Sequence, residues 1–380
     1  MTQPKNFGFG DDEKMLRESA RKFFTDNSSP DQVHKLVAGD PDPHRDLAAN
    51  WDSSLWQQMV ELGWTSIAVP ERAGGMGMPA VAAIALVEES GRAAYVGPLL
   101  STLCATYVLD ACNSANADVS LGQVIEGRSY ALAIGNQEGV IGDAPTAFLR
   151  DGKLNGEALY VQDPQKCDSI IVSALDANDK PVLVTVEKSS QGVTLLSDAI
   201  VDLTRDQGRI LFADVSIADA QLLCESAEPV LKKVEPIIAT LLAADMVGAA
   251  EWQLQTTNEY AKTREQFGRP IGFFQAVKHP LVDMMVMIDQ ARGLTYNAAC
   301  AWDHEPESMD KFSYMAKASA AEMAIFCSNR SIQLHGGIGF TWECYLHLYF
   351  KRQMHSQMLF GDATYYRAKL AGCLFGDQAA

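Results

Sequence analysis

The stretch YAKTREQFGRPIGFFQAVKHPLVDM, residues 260–284, joins two long helical patterns and carries more chemistry than a turn requires. Before it lies PIIATLLAADMVGAAEWQLQTTNEYAKT, and after it come PLVDMMVMIDQARGLTYNAACAW and KFSYMAKASAAEMAIFCSNRSIQLHGG. Long helices joined by short loops predict an antiparallel bundle of the four-helix type. Such a bundle needs only a short polar connection, whereas this one contains Arg264, Phe267 and Gln275.

Outward from this stretch, the residue patterns divide the chain into three blocks. Residues 1–125 repeat apolar side chains at three- and four-residue spacing, as in DDEKMLRESARKFF, which predicts helices. Residues 126–228 contain short β-rich runs such as SIIVSAL and PVLVTVE between Gly and Asp turns, which predicts an antiparallel sheet. Residues 229–380 return to the long helices. The predicted fold class is therefore mainly α, with a middle antiparallel β domain and a C-terminal four-helix bundle.

The composition indicates a cellular compartment and argues against some classes of binding partner. Apolar residues make up 47% of the chain and charged residues 21%, with no uncharged apolar run of the length that a membrane span needs. The first residues lack the basic flank of a signal peptide, and eight cysteines without a Cys-x-x-Cys pair favour a reducing compartment. We therefore expect a cytoplasmic protein. A net charge of −17 argues against nucleic acid as a partner, and no histidine spacing predicts a metal site.

The helical, β and helical order resembles the acyl-CoA dehydrogenase family over nearly the whole chain. The resemblance is most specific in the stretch quoted above and in SIQLHGGIGFTWECYLHLYFKR, residues 331–352. It is supported by DGKLNGEALYVQDPQKCDSIIVSA and DLTRDQGRILFADV, which are similar to the β-domain strands of the family. The resemblance implies a three-domain architecture, an acyl-CoA substrate and an electron-transfer flavoprotein, or a similar protein, as electron acceptor.

The resemblance also implies FAD as the cofactor. In this family the Arg-x-x-Phe-Gly turn and the Gln-x-x-Gly-Gly segment meet the FAD of a neighbouring subunit, so each site needs two chains of the same fold. An arginine suits the pyrophosphate because its guanidinium donates parallel hydrogen bonds and stays charged. Glycines let the backbone approach a ligand that a Cβ would push away. The implied cofactor contacts are Arg264, Phe267, Gln275, Gln333, Gly336 and Gly337.

The β domain departs from the family pattern on the side that should hold the flavin ring. The usual loop with Thr-Glu-Pro and Gly-Ser-Asp is replaced by NQEGVIGDAPTAF, where only Gly142 and Asp143 match the second half. The usual Trp-Ile-Thr or Trp-Ile-Ser corresponds to ALYVQD, with Tyr160 and Val161 in its place. Both differences fall on the same predicted site.

The catalytic base is a third departure. The chemistry needs a carboxylate that removes the α-proton of the thioester. The family takes this Glu from a Tyr-Glu-Gly-Thr-type stretch, which here reads LFGDATYYR, with Gly361 at the usual position and Asp362 beside it. Asp362 is the candidate base, and the alternative is that it caps the last helix. Other members take the Glu from the first bundle helix, where Glu235 and Asp245 lie near the expected position without matching it.

Two functional hypotheses follow, and a purely structural helical scaffold is a third that needs neither FAD motif. In the first, the chain is an FAD-dependent acyl-CoA dehydrogenase that forms the 2-enoyl-CoA with Asp362 as base. In the second, it is a non-catalytic companion subunit that completes the FAD site of a partner. Homomeric and heteromeric assembly both stay open. Heteromeric family members that act on bulky CoA esters, such as steroid side-chain esters, often contain a subunit with Gly-Asp in place of Tyr-Glu.

Overall fold

The computed structural model describes residues 3–39, 51–142 and 144–376, and it begins with a helical block. Acidic residues in the first turn favour α1, while Ser29 and Gln32 form a capping box on α2 with proline at its first position. The helices are α1 (Asp11–Asn27), α2 (Pro30–Ala38), α3 (Ser53–Glu61), α4 (Ala80–Arg92), α5 (Leu99–Cys112) and α6 (Ala115–Ile125).

A single large sheet follows the helical block. Its strands are β1 (Tyr130–Ala133), β2 (Ala147–Arg150), β3 (Lys153–Gln162), β4 (Ser169–Leu175), β5 (Pro181–Glu187), β6 (Val193–Ser197), β7 (Gln207–Ser216) and β8 (Leu222–Cys224). The strand order is β6-β7-β3-β2-β4-β5-β8, with β1 also paired to β4. The sheet is mixed, which corrects the antiparallel prediction: β1 and β2 each pair with β4 in parallel. The turn residues between the β-rich runs predicted the hairpins. Such local signals cannot predict that a strand pairs with one that is distant in sequence.

The remaining residues form the helical bundle. Its long helices α7 (Ala227–Thr263), α8 (Gln275–His304) and α9 (Met309–His335) pack on one another, and α10 (Leu346–Ser356) and α11 (Ala363–Phe375) pack on α9. Between α7 and α8 the chain forms a short hairpin, β9 (Glu265–Gln266) and β10 (Arg269–Pro270). The predicted fold class is confirmed apart from the parallel pairings.

The first helical block and the bundle are joined by a close helix crossing. A Cβ on Gly248 of α7 would lie 1.8 Å from the carbonyl oxygen of Glu88 in α4, and one on Gly91 would lie 2.3 Å from the carbonyl oxygen of Asp245. Only glycine allows backbones to approach so closely. One hydrophobic core therefore runs from α1 through α4 and α5 to α7, while the sheet has a core of its own.

Candidate functional site

The bundle-end surface consists of the six predicted cofactor contacts, and Arg264 is the residue that follows α7. Its backbone N–H donates to the carbonyl of Tyr260 at 2.8 Å, and its carbonyl accepts from the N–H of Ile271 at 2.8 Å. These two bonds fix the position of the β9–β10 hairpin. The Arg264 side chain is exposed and forms no ion pair within residues 3–39, 51–142 and 144–376. Its guanidinium is available to an anion.

Phe267 forms the tip of the hairpin. Its backbone has a φ of 56°, in the left-handed region that a bulky residue rarely adopts, and its side chain is 89% exposed. Among the residues that the structure describes, its ring meets one other ring, the edge of Phe274, at 6.0 Å between centroids. A strained backbone that holds an aromatic ring in solvent is typical of a position that meets a ligand or another chain.

An aromatic stack brings the two predicted cofactor segments together. The ring of Tyr260 in the last turn of α7 lies on the ring of His335 at the end of α9, with 4.2 Å between centroids and 19° between planes. Burial lowers the pKa of His335, whose Nδ1 is 2.9 Å from the carbonyl oxygen of Ser331. The end of α7 and the end of α9 therefore lie at the same end of the bundle.

Among the described residues no contact requires the glycines of the bundle-end surface, although the positive φ of Gly336 itself favours glycine. Gly336 has a φ of 65°, and a Cβ built on Gly336 or Gly337 would meet no atom within 4 Å. Gln333 and Gln275 are both exposed on the surface. An extended dinucleotide with a pyrophosphate fits the groups present here, which are open backbone, two amides, an aromatic ring and a free guanidinium. The residues present at this end are therefore compatible with FAD.

A cavity of about 480 Å³ lies between the sheet and the bundle. It is lined from the sheet side by Gly139, Tyr160 and residues 199–201, and from the bundle by Met354, His355 and residues 358–360. Tyr160 sits at an irregularity in the β3–β7 pairing with a φ of 55°. The residue that replaces the usual tryptophan motif therefore faces this cavity, and Asp143 lies outside the described residues.

His355 is the imidazole beside the cavity. Its Nε2 is 3.1 Å from Oε1 of Gln162, and burial lowers the pKa of His355 to about 4. An imidazole with this pKa is neutral at pH 7 and is a weak proton acceptor. It does not replace the carboxylate that the chemistry requires.

The cleft loop, residues 357–362, is where the resemblance to the family places the base. Gly361 has a φ of 115°, and a Cβ there would lie 2.3 Å from Cδ1 of Tyr365. Tyr365 therefore occupies the space into which a side chain at position 361 would extend. The carboxylate of Asp362 accepts a hydrogen bond from the N–H of Tyr365 at 2.8 Å, so it caps the N-terminus of α11.

A buried lysine that was not identified from the sequence holds the cleft loop. Lys317 of α9 donates to the carbonyl oxygens of Gln357 at 3.0 Å and of Gly361 at 2.9 Å. Burial lowers the pKa of Lys317 to about 7. The sequence signal is a single lysine inside the small apolar run YMAKASAAEM, which is an unusual place for an ammonium group.

The two other acidic candidates are engaged in ion pairs. Glu235 pairs with Lys369 and accepts from the hydroxyl of Tyr365 at 3.3 Å. The carboxylate of Asp245 lies 2.6 Å from both Arg205 and Arg352. Burial favours the neutral acid, but these two guanidinium groups hold the pKa of Asp245 below its usual value. Both carboxylates are therefore engaged in ion pairs within this chain.

The described residues contain neither a metal-binding cluster nor a membrane-spanning helix. No cluster of three or more His, Cys, Asp or Glu residues there is arranged to hold a metal ion. Within the same part of the chain, no helix combines the length and apolarity needed to cross a bilayer.

Comparisons with known proteins agree with the architecture. Family models described as the N-terminal and C-terminal domains of acyl-CoA dehydrogenase match residues 10–128 and 239–371. The chain is 32% identical to acyl-CoA dehydrogenase IpdE2 of Mycobacterium tuberculosis, over 92% of this chain and 93% of that one. A solved variant of the Tcur3481-Tcur3483 steroid ACAD is 28% identical, with a TM-score of 0.85 over 98% of this chain and 100% of that one. The ChsE4-ChsE5 complex from Mycobacterium tuberculosis, 23% identical, shares the fold with a TM-score of 0.86 over 97% and 98% of the two chains.

Proposed function

This chain belongs to the acyl-CoA dehydrogenase family, whose members are flavin-dependent oxidoreductases, and from that premise we propose that it is the companion subunit of a heteromeric enzyme. The family predicted from the sequence is confirmed. In the proposed assembly this chain completes the FAD site of a partner with the same fold. The partner supplies the catalytic glutamate.

The observation that carries this proposal is the state of the cleft loop. Tyr365 fills the space beside Gly361, and the adjacent carboxylate of Asp362 caps a helix. A base must be free to accept the α-proton and must reach it. The acids near this loop are committed to structural bonds instead, which supports a partner as the source of the base.

The residues of the bundle-end surface have a clear role in such an assembly. Arg264 would donate charge-assisted hydrogen bonds to the pyrophosphate, and the glycines would let the backbone come close to the cofactor. The exposed ring of Phe267 would lie against an aromatic part of the cofactor, and Gln275 and Gln333 would hydrogen-bond to it. Bound FAD supplies the acceptor for the β-hydride of the acyl-CoA thioester. This chain binds and orients it, and an electron-transfer flavoprotein or similar protein reoxidises it.

The substrate class is proposed from the relatives. The solved structure with 28% identity is named a steroid ACAD, that is, a steroid acyl-CoA dehydrogenase. Its name gives two components, Tcur3481 and Tcur3483. This supports a bulky, polycyclic acyl-CoA ester as substrate and a second chain of the same fold as partner.

The test is to purify the chain alone and together with a family member that carries the Tyr-Glu-Gly-Thr-type stretch. Flavin content and anaerobic flavin bleaching are measured with acyl-CoA esters from short straight chains to steroid side chains. We expect bleaching only in the co-purified complex. Stoichiometric flavin and full bleaching by the chain alone contradict the proposal.

That second outcome supports the other candidate, a catalytic chain with Asp362 as base. The observation in its favour is the 480 Å³ cavity, which Phe360 of the cleft loop lines immediately beside Gly361. A cavity of this size accommodates part of an acyl group or of a flavin ring. Replacement of Asp362 distinguishes the two candidates, as described below.

A further inference from the structure

A second cavity, of about 230 Å³, lies where α1 and the start of α2 meet the end of α4 and the middle of α7. Its lining residues differ throughout from those of the 480 Å³ cavity. They include Arg21 and Phe24 of α1, Glu89 and Arg92 of α4, and Trp252 of α7. We call it the Trp252 cavity. Neither the proposed FAD contacts nor the cleft loop uses any of these side chains.

The carboxylate at the Trp252 cavity is already paired. Glu89 is buried, and its two oxygens accept from the guanidinium of Arg21: Nε donates to Oε2 at 3.0 Å and Nη2 donates to Oε1 at 2.7 Å. A bidentate pair of this kind is among the strong hydrogen-bonded ion pairs of proteins. The two opposite charges of Arg21 and Glu89 therefore compensate each other.

The guanidinium of Arg92 has no such partner. Its Nη2 donates to the amide oxygen of Gln255 at 2.5 Å, and among the described residues it forms no ion pair with a carboxylate. The nearest acid along this path is Glu251, which accepts from the Gln255 amide at 2.5 Å and is itself paired with Arg292. The charge that the Trp252 cavity offers to a ligand is therefore positive.

Aromatic rings form the apolar walls of the Trp252 cavity. The indole of Trp252 stacks on the ring of Tyr349 in α10, with 3.8 Å between centroids and 8° between planes. The Tyr349 hydroxyl donates to the backbone carbonyl of Arg92 at 2.8 Å, which fixes the stack relative to the end of α4. Because Tyr349 covers one face of the indole, the cavity meets the opposite face or the edge. Phe24 is a second aromatic lining residue, and flat rings pack well against such walls.

We propose that the Trp252 cavity is a binding site for a small aromatic carboxylate. The carboxylate accepts charge-assisted hydrogen bonds from the Arg92 guanidinium, and the ring lies against the Trp252 indole. The size fits this class, because an apolar cavity of about 150 Å³ holds benzene, so 230 Å³ has room for one ring and its carboxylate. The site does not depend on the proposed companion role, since it uses none of the FAD contacts.

The experiment titrates the full chain with benzoate by calorimetry. The control ligand is benzamide, which has nearly the same shape but no charge. We expect benzoate to bind with a dissociation constant of about 1 mM or tighter, and benzamide to bind at least about tenfold more weakly because it lacks the charge-assisted contact. A weaker dissociation constant for benzoate, or a benzamide affinity within tenfold of it, overturns the proposal.

Variants then locate the bound benzoate. Arg92→Met keeps an apolar stem and removes the guanidinium, so it should weaken benzoate binding at least about tenfold. Arg72→Met is the matched control, because Arg72 is another arginine of the first helical block and pairs with Asp110. It should bind benzoate with native affinity.

The aromatic wall is tested by Trp252→Leu, which should weaken the binding of benzoate several-fold while Arg92 is intact. Circular dichroism checks the fold of each variant, and Arg92→Gln replaces Arg92→Met if the latter does not fold. The comparison of benzoate with benzamide needs no variant. Native affinity in the Arg92 variant or in Trp252→Leu, or an equal loss in Arg72→Met, overturns the proposal.

Discussion

The bundle-end surface and the cleft loop use their polar groups in opposite ways. At the bundle end, the Arg264 guanidinium has no ion-pair partner among the residues described, and a Cβ on Gly336 would meet no atom within 4 Å. At the cleft loop, Asp362 caps a helix and Lys317 binds two carbonyls. One region is left open for a group from outside the chain, while the other is completed from within. The difference supports the proposal that this chain contributes to a site in a partner rather than containing a complete one.

The largest effect is expected if the cleft loop is forced to carry the family base. Gly361→Glu places a side chain against Tyr365 at a φ of 115°. Backbone strain and overpacking should together lower the free energy of unfolding by about 2–6 kcal/mol. Urea unfolding measures this loss. The double variant Gly361→Glu/Tyr365→Ala should recover the overpacking part, and a fully stable single variant would show that the loop is not closed.

Next is the pH dependence caused by Lys317. Its folded pKa of about 7 lies below the ordinary lysine value of 10.5, so between these values the unfolded chain binds one more proton. Raising the pH in this window therefore favours the folded state, by up to about 1.4 kcal/mol per pH unit. Urea unfolding at pH 7 and pH 9 should show this increase in the native chain relative to Lys317→Met. Parallel pH profiles of the two chains would mean that burial does not lower the pKa of Lys317 in the folded state.

A smaller effect is expected at the bundle-end surface. Arg264→Ala should weaken FAD binding in the complex by ~1.5–3 kcal/mol, or about tenfold to a hundredfold, because a charge-assisted contact is lost. The free energy of unfolding should not change, since the side chain is exposed. Fluorescence titration of the flavin measures the affinity. Arg269→Ala is the matched control, because that guanidinium lies 4.1 Å from the Phe273 ring centroid in the same hairpin. Equal losses in both variants would remove the specific role of Arg264.

The smallest effect is expected for Asp362→Asn. Asparagine caps helices as well as aspartate does, so the free energy of unfolding should change by less than ~0.5 kcal/mol, whereas Asp362→Ala should cost ~1 kcal/mol. Turnover of the complex should stay near native in the Asn variant. A loss of several orders of magnitude with the fold intact would instead identify Asp362 as the base, because an amide cannot accept the α-proton.

The sequence predicted the helices because they depend on local pattern, and it singled out the two segments at the bundle end through their resemblance to motifs of the family. Periodic apolar residues specify α7 and α9, and the stack of Tyr260 on His335 only adds their relative position. The closed state of the cleft loop could not be predicted in this way. It depends on Tyr365 turning toward Gly361 and on Lys317 reaching the loop from another helix, and both are contacts between side chains and backbone across the fold. The parallel pairing of β1 with β4 was missed for the same reason.

The length of α7 has a consequence for stoichiometry. Glu235, which contacts Tyr365 beside the cleft loop, and Arg264 lie near opposite ends of this single helix, and a rise of 1.5 Å per residue separates them by roughly 44 Å. A rod of this length keeps the guanidinium away from the cleft of its own chain. In the proposed assembly, each such chain therefore faces two sites at once, one with its Arg264 and one with its cleft. In a one-to-one assembly with an intact partner, these two kinds of site differ in composition. Only half of all the sites in the assembly then combine the arginine of this chain with the base of the partner.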